Sequence, residues 1–266
     1  MFKILFLFLF LVSFSYSEVK SESNDTFNNI LNISTHNTNY FLPLSYTFKG
    51  KYPKDKRAEI KFQISIKKPL FENLLSLDEV YYFAYTQKAW WQAYKNSAPF
   101  KELNFQPEFF ILFPLKFENF SSLKNLSISL LHESNGKDNS NLESRSWNRI
   151  YASFVFSKNN LTIVPRIWYR IPEKSSKDDN KDILNYMGNF DLLIKYNLSK
   201  DFFTELILKN NLNFKNNKLG LELNTGFDLF DNGVFYYLKY YYGYGENLTN
   251  YNRMVNKLSI GFLIAY

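Results

Sequence analysis

Residues 58 to 67 read AEIKFQISIK, placing Ile60, Phe62, Ile64 and Ile66 on one side of a two-residue period and Glu59, Lys61, Gln63, Ser65 and Lys67 on the other. Successive side chains of a β-strand point to opposite faces, so this alternation predicts a strand with one apolar and one polar face. In LTIVPRIWYRI, residues 161 to 171, Leu161, Ile163, Pro165, Ile167, Tyr169 and Ile171 oppose Thr162, Val164, Arg166, Trp168 and Arg170. In GNFDLLIKYNL, residues 188 to 198, Phe190, Leu192, Ile194, Tyr196 and Leu198 oppose Asn189, Asp191, Lys195 and Asn197. The pattern predicts about twelve strands, over 39–46, 58–67, 78–94, 101–113, 123–134, 146–157, 160–171, 186–198, 201–212, 217–227, 234–244 and 256–266.

A nearly unbroken oily row backed by arginines fits a barrel with lipid outside and charge inside. An even strand number closes such a barrel with both ends on one side and no unpaired edge. Connections alternate accordingly: SKNN, NLSKD and DLFDNG are short, whereas FKGKYPKDKR, HESNGKDNSNLESRS, PEKSSKDDNKDI and GENLTNYNR are longer and more charged. Two connections on the short-turn side, near 68–77 and 114–122, exceed that rule. The last strand alternates Leu258, Ile260, Phe262 and Ile264 with Lys257, Ser259, Gly261, Leu263 and Ala265, and ends on Tyr266.

Composition strengthens the membrane reading. Aromatic residues make up 20% of the 266 residues, yet mean hydropathy is negative. Lys3 followed by ILFLFLFLV, with Ser15 and Ser17 placed for cleavage, predicts an export signal over residues 1–17. An irregular lead-in is expected over 18–38 and one barrel domain over 39–266. The fold class is therefore all-β, a transmembrane antiparallel barrel, and the expected location is a cell outer membrane. The absence of cysteine excludes a disulfide framework, thiol catalysis, thiolate metal sites and a lipid-anchoring cysteine. With only His36 and His132 present, a histidine-rich zinc site is excluded as well, which leaves oxygen ligands and calcium or magnesium. The formal charge of +7 is spread without a dense basic cluster, so an anionic surface is a better partner than nucleic acid.

One polar insert stands out, HESNGKDNSNLESRSWNR, residues 132 to 149. Leu126, Ile128 and Leu130 form one face of their strand, and the same parity runs on to His132 and Ser134. On the next strand the row Phe156, Phe154, Ala152 and Ile150 leads back to Asn148. Pairing about residue 140 sets His132 across from Asn148 and Ser134 across from Ser146. Serine needs a base to become a good nucleophile, imidazole suits that exchange near neutral pH, and an amide oxygen can orient the imidazole. Ser134 is thus the candidate nucleophile, His132 the general base and acid, and Asn148 the orienting group. The plain alternative is three interfacial polar residues at a barrel rim. Polar groups in rows that should face lipid are costly, however, and a lipid ester arriving laterally is the natural substrate.

The stretches YTQKAWWQAY (85–94), SAPFKELNFQPE (97–108), HESNGK (132–137), SRSWNR (144–149) and YMG (186–188) resemble the outer membrane phospholipase A family. The resemblance covers essentially the whole barrel. It implies a twelve-stranded barrel that acts as a calcium-dependent phospholipase A1 and A2, with lysophospholipase activity, in a homodimer. His132, Ser134 and Asn148 match the family triad. Ser144 and the backbone carbonyl of Lys137 match its calcium ligands, Ser97 matches a ligand donated by the second subunit, and Gln87 matches a polar dimer-interface residue. The amides of Ser134 and Gly136 match groups that stabilise the oxyanion. Lys137 stands where the family more often has arginine. The His132 to Asn148 spacing of sixteen is two longer than the family pattern, and the insertion within DNSNLE adds Asp138 as a candidate ligand. An even insertion preserves strand parity.

Trp90, Trp91 and YYLKYYYGYG (236–245) are expected in the aromatic girdle and wall, while Glu108, Arg166, Arg170, Asp191 and Lys195 are expected in a lumenal network. The rival functions are a passive channel, which requires an open lumen, and a surface interaction barrel with a vestigial site. The active site is expected at the long-loop end, toward the outer leaflet.

Overall fold

The computed structural model describes residues 32–138, 143–174, 176, 178–230 and 234–265. The expected signal and most of the lead-in lie outside them. The barrel unit, Ser34–Tyr266, contains the strands β1 (Ser34–Thr35), β2 (Asn39–Lys49), β3 (Ala58–Glu72), β4 (Val80–Trp91), β5 (Phe100–Pro114), β6 (Leu123–Ser134) and β7 (Ser146–Lys158). It continues with β8 (Leu161–Ile171), β9 (Phe190–Ser199), β10 (Phe202–Asn210), β11 (Leu219–Phe227), β12 (Tyr236–Gly243) and β13 (Val255–Ala265). From β2 to β13 each strand pairs antiparallel with its sequence neighbour, and β13 returns to β2, so the twelve long strands form a closed ring. Closure satisfies every edge without water, the condition for spanning a bilayer with strands.

The faces follow the expected parity. On β6, Leu130 is 50% exposed and Leu131 only 6%. Ile64, Ile66, Ile128, Ile150, Ile167, Tyr169, Leu258 and Ile260 are also exposed, a continuous oily wall of the kind that faces acyl chains. Short connections keep local solutions: between β7 and β8 only Asn159 and Asn160 intervene, and Asn159 takes φ +52°, a conformation that asparagine tolerates.

Two sequence readings are revised. The strand expected over 186–198 begins only at Phe190, because Leu184–Met187 forms a helical turn, α1. Ile183 and Met187 pack there with Trp168, Leu248 and Tyr251, and this apolar burial outweighs the extended pattern. Trp90 does not join a lipid-facing girdle. It is fully buried on the lumenal side and donates to Glu246 Oε1 at 3.1 Å, whereas Trp91 stacks on Phe100.

The lumen is crossed by charge. Arg149 pairs with Glu133 at 2.7 Å, Arg166 with Asp191, Arg170 with Asp178 at 2.7 Å, and Lys257 with Glu59 and Glu246. One end is narrowed by the residues between β1 and β2, where His36 bonds Glu108 at 3.1 Å and stacks on Phe110. At the other end the connection from β12 to β13 folds inward. Leu248 is wholly buried, and its amide donates to Asn104 Oδ1 at 3.2 Å. Gly245, at φ +78°, lies so close to Met187 that a Cβ would stand 2.3 Å from its sulfur. Burial alone would raise the Glu246 carboxyl, but Lys257 and Lys61 outweigh it and hold the group well below the usual carboxylate range. A lumen crossed by ion pairs and closed by an inward loop is not the open passage a channel requires.

Candidate active site

The hairpin β6–β7 has the expected register: His132 is opposite Asn148, Glu133 opposite Trp147, and Ser134 opposite Ser146. His132, Ser134 and Asn148 share the parity of Leu130 and Ile150, so they occupy the top of the oily wall and are only half-buried. His132 Nδ1 and Asn148 Oδ1 are 2.9 Å apart. An amide oxygen can only accept, so the contact is a hydrogen bond when Nδ1 carries the proton. Nε2 is then left as the basic nitrogen. Ser134 lies two positions further along the same row, ~7 Å away by strand rise. Among the described residues no hydrogen bond joins Ser134 to His132. Contacts of this kind commonly tighten only when substrate binds.

The row behind these residues is far more heavily bonded. Glu133, 6% exposed, accepts from Gln106 Nε2 at 2.6 Å, Trp147 Nε1 at 3.0 Å and Arg149 at 2.7 Å. The Arg149 guanidinium lies 3.8 Å from the Trp147 ring centre. Asn135 is 3% exposed and joins both arms of the insert. Its Nδ2 donates to the Glu143 carbonyl at 2.7 Å and to Thr249 Oγ1 at 3.0 Å, while its Oδ1 accepts from the amides of Lys137 at 3.3 Å and Arg145 at 3.0 Å. Thr249 is in turn held by Glu102, to which its amide donates at 3.0 Å. The inward-folded loop therefore buttresses the insert that follows Ser134.

Gly136 explains itself sterically. Its φ is +64°, and a Cβ there would stand 2.7 Å from the edge of Phe105. Phe105 pairs with Ser134 on one side and with Gln87 on the other, so Gln87, Phe105 and Ser134 form one row across three strands of the outer wall. Gln87 accepts from the Tyr85 hydroxyl at 3.0 Å and is flanked by Ile64.

The candidate metal ligands divide into two places. Lys137 and Ser144 sit on opposite arms of the insert, near the Asn135 clamp, with the Lys137 ammonium bonded to Glu143 at 3.1 Å. Asp138 is exposed beside them, and the intervening 139–142 lie outside the described residues. Ser97 belongs to the different, exposed loop between β4 and β5, where it takes φ +64°. Among the described residues no group of three or more His, Cys, Asp or Glu side chains gathers as a metal site. Serine hydroxyls and peptide carbonyls are instead hard neutral donors, and that chemistry fits calcium with a shell incomplete in one chain.

A family model described as phospholipase A1 matches residues 16–264. The chain belongs to the phospholipase A1 family. Its curated relatives include phospholipase A1 of Klebsiella pneumoniae, 33% identical with 79% of this chain and 71% of that protein covered. Phospholipase A1 of Salmonella typhimurium is 34% identical over 79% of this chain and 70% of its own. Against a 34% identical Neisseria meningitidis relative the match spans 65% of that protein's length. Outer membrane phospholipase A from Escherichia coli superposes with a TM-score of 0.77 at 30% identity, covering 87% of this chain and 91% of the other. A Salmonella typhi outer membrane phospholipase, solved as a dimer with bound calcium, gives 0.76 at 30% identity over the same shares. This family of phospholipase A-type hydrolases is thus represented here by an outer-membrane barrel of twelve long strands.

Within the phospholipase A1 fold, alternation alone placed His132, Ser134 and Asn148 in one outward row. The supports Asn135, Glu102 and Thr249 had no such signal. Asn135 shares the inward parity of Leu131 and Glu133, but Thr249 is 114 residues away and nothing in the spacing joins them.

Proposed function

We propose that this chain hydrolyses phospholipid acyl esters as a serine esterase of phospholipase A1, A2 and lysophospholipase type, with Ser134, His132 and Asn148 as its triad. The observation that carries the reading is the 2.9 Å His132–Asn148 bond on the lipid-facing wall, one strand row from Ser134. An asparagine-to-alanine active-site substitution has been made in the solved E. coli relative, which supports the same role for Asn148.

The substrate arrives laterally from the outer leaflet, toward which the long-loop end faces. Asn148 fixes the imidazole so that Nε2 takes the Ser134 proton as Oγ attacks the ester carbonyl. The amides of Ser134 and Gly136 donate to the developing oxyanion. Collapse of the tetrahedral adduct breaks the ester C–O bond, and His132 returns the proton to the departing lysophospholipid oxygen. Water, deprotonated by His132, then attacks the acyl-serine and releases the fatty acid. The Ser144 hydroxyl, the Lys137 carbonyl and Ser97 of a second copy, with Asp138 as a further candidate, would hold calcium, which would supply positive charge to stabilise the oxyanion. Because a single chain provides only part of that shell, activity is tied to a homodimer whose interface includes Gln87; the calcium-bound dimer of the S. typhi relative supports this.

The test is fatty-acid release from defined phospholipids by the purified protein, with and without calcium. Ser134→Ala is expected to lower the rate by on the order of 10⁴ or more at an unchanged unfolding midpoint. Undiminished release by the variant overturns Ser134 as nucleophile, and undiminished release after complete chelation overturns the calcium requirement.

A further inference from the structure

Independently of the outer wall, the lumen carries a feature that ester hydrolysis does not use. A cavity of about 500 Å³ lies inside the barrel, lined by eight lysine and arginine side chains against five carboxylates. The carboxylates are committed. Glu133 holds Arg149, Asp191 holds Arg166, Glu222 holds Lys239, Glu246 holds Lys61 and Lys257, and Glu205 takes the Asn224 amide at 2.9 Å.

Lys88 of β4 and Lys209 of β10 both line this cavity, yet neither has a carboxylate within 4.0 Å among the described residues. They interact electrostatically with each other and both with Glu222, which already holds Lys239, and with Glu133. That carboxylate is already saturated by Gln106, Trp147 and Arg149. Two half-buried ammonium groups with no carboxylate partner, in a cavity with an excess of positive charge, make a favourable place for an anion.

We propose that the lumen binds a phosphate-type oxyanion between Lys88 and Lys209. Such an ion brings more than one negative charge and several acceptor oxygens, matching six ammonium N–H donors through charge-assisted hydrogen bonds. Chloride offers one charge and no directional acceptors. A fatty-acid chain would have to bury its methylenes among the thirteen charged side chains of the lining, and the inward-folded loop bars a polymer. The shared chemistry has two sources, free phosphate and a phosphomonoester headgroup.

The experiment uses the full-length barrel in a non-ionic micelle at constant ionic strength. Its unfolding midpoint is followed while chloride is replaced by inorganic phosphate or by glycerol 3-phosphate, and phosphate binding is read in parallel from ³¹P line broadening. Wild-type protein should show a saturable rise in midpoint that chloride does not reproduce. The double variant Lys88→Gln/Lys209→Gln should unfold at a higher temperature in chloride, because the repulsion is gone, and should lose the phosphate response and the line broadening. The single variants provide a check if the double variant folds poorly, each weakening the response. An equal response to glycerol 3-phosphate assigns the site to phosphomonoester groups, and a response to phosphate alone assigns it to the free ion. No saturable effect above chloride, or an unchanged response in the lysine variants, overturns the proposal. Fatty-acid release should persist in both single variants, so failure here is separable from failure of the esterase reading.

Discussion

The hairpin β6–β7 has two faces that share one backbone and differ in almost everything else. Its outward row, Leu130, His132 and Ser134, is half-open, and among the described residues the bond from His132 to Asn148 is the one side-chain polar tie that orients it. Its inward row, Leu131, Glu133 and Asn135, is buried, with Glu133 taking three donors and the Asn135 side chain making four hydrogen bonds. On the proposed reading the outward face presents reactive groups to a substrate, and it is the more open of the two. Precision is supplied from behind, by polar groups whose bonds leave them no alternative arrangement.

That contrast predicts that outward substitutions lower rate and inward ones lower stability. After Ser134→Ala, the largest expected effect is that of Asn148→Ala. With the imidazole no longer oriented, kcat should fall by roughly 10²-fold while the barrel melts unchanged. A parallel loss of thermal stability would show that Asn148 is structural. Asn135→Ala should breach the division between the faces, since it both leaves buried groups unpaired and frees the insert. A roughly 10-fold fall in kcat is expected together with ~1–3 kcal/mol of lost stability. Release assays and denaturant titration of the same preparation check both.

Glu133→Gln should mark the opposite extreme. It leaves the Arg149 guanidinium without its carboxylate, at an expected cost of about 3 kcal/mol, while the rate changes only a few-fold. If its rate falls as far as that of Asn148→Ala, the two faces are not separable. The smallest effect concerns the loop that buttresses Asn135. Because Lys257 and Lys61 depress the folded-state pKa of Glu246, its contribution is fully present above the unfolded value of ~4.3 and is lost as pH falls below it. Unfolding midpoints measured from pH 7 downward should therefore decline below that value in the wild type. Glu246→Gln should start lower at neutral pH and decline less steeply; a decline as steep as the wild type's would assign the acid sensitivity to other carboxylates.

Strand parity was legible because it is local. β6 begins at Leu123 and ends at Ser134 as the pattern indicates, and the symmetric pairing that faces His132 with Asn148 needed only a hairpin without an odd bulge. The start of the strand expected over 186–198 gives way to the helical turn because Ile183 and Met187 answer to Leu248 and Tyr251, more than sixty residues further along the chain, rather than to their own period. The same holds for Trp90, whose indole is fixed by Glu246 at a separation of 156 residues.

Alternation, composition and the paired motifs by themselves determined the barrel, its lipid-facing side and the row holding His132, Ser134 and Asn148, since each depends on a two-residue period that the backbone imposes everywhere. Tertiary structure alone decided what stands behind that row. Asn135 meets Thr249 across 114 residues, Thr249 meets Glu102 across 147, and Lys88 and Lys209 line one cavity with no carboxylate within 4.0 Å among the described residues. Contacts of that kind arise only when the ring closes and an outer loop folds back into the lumen, where buried charges must find partners wherever the closed wall happens to place them.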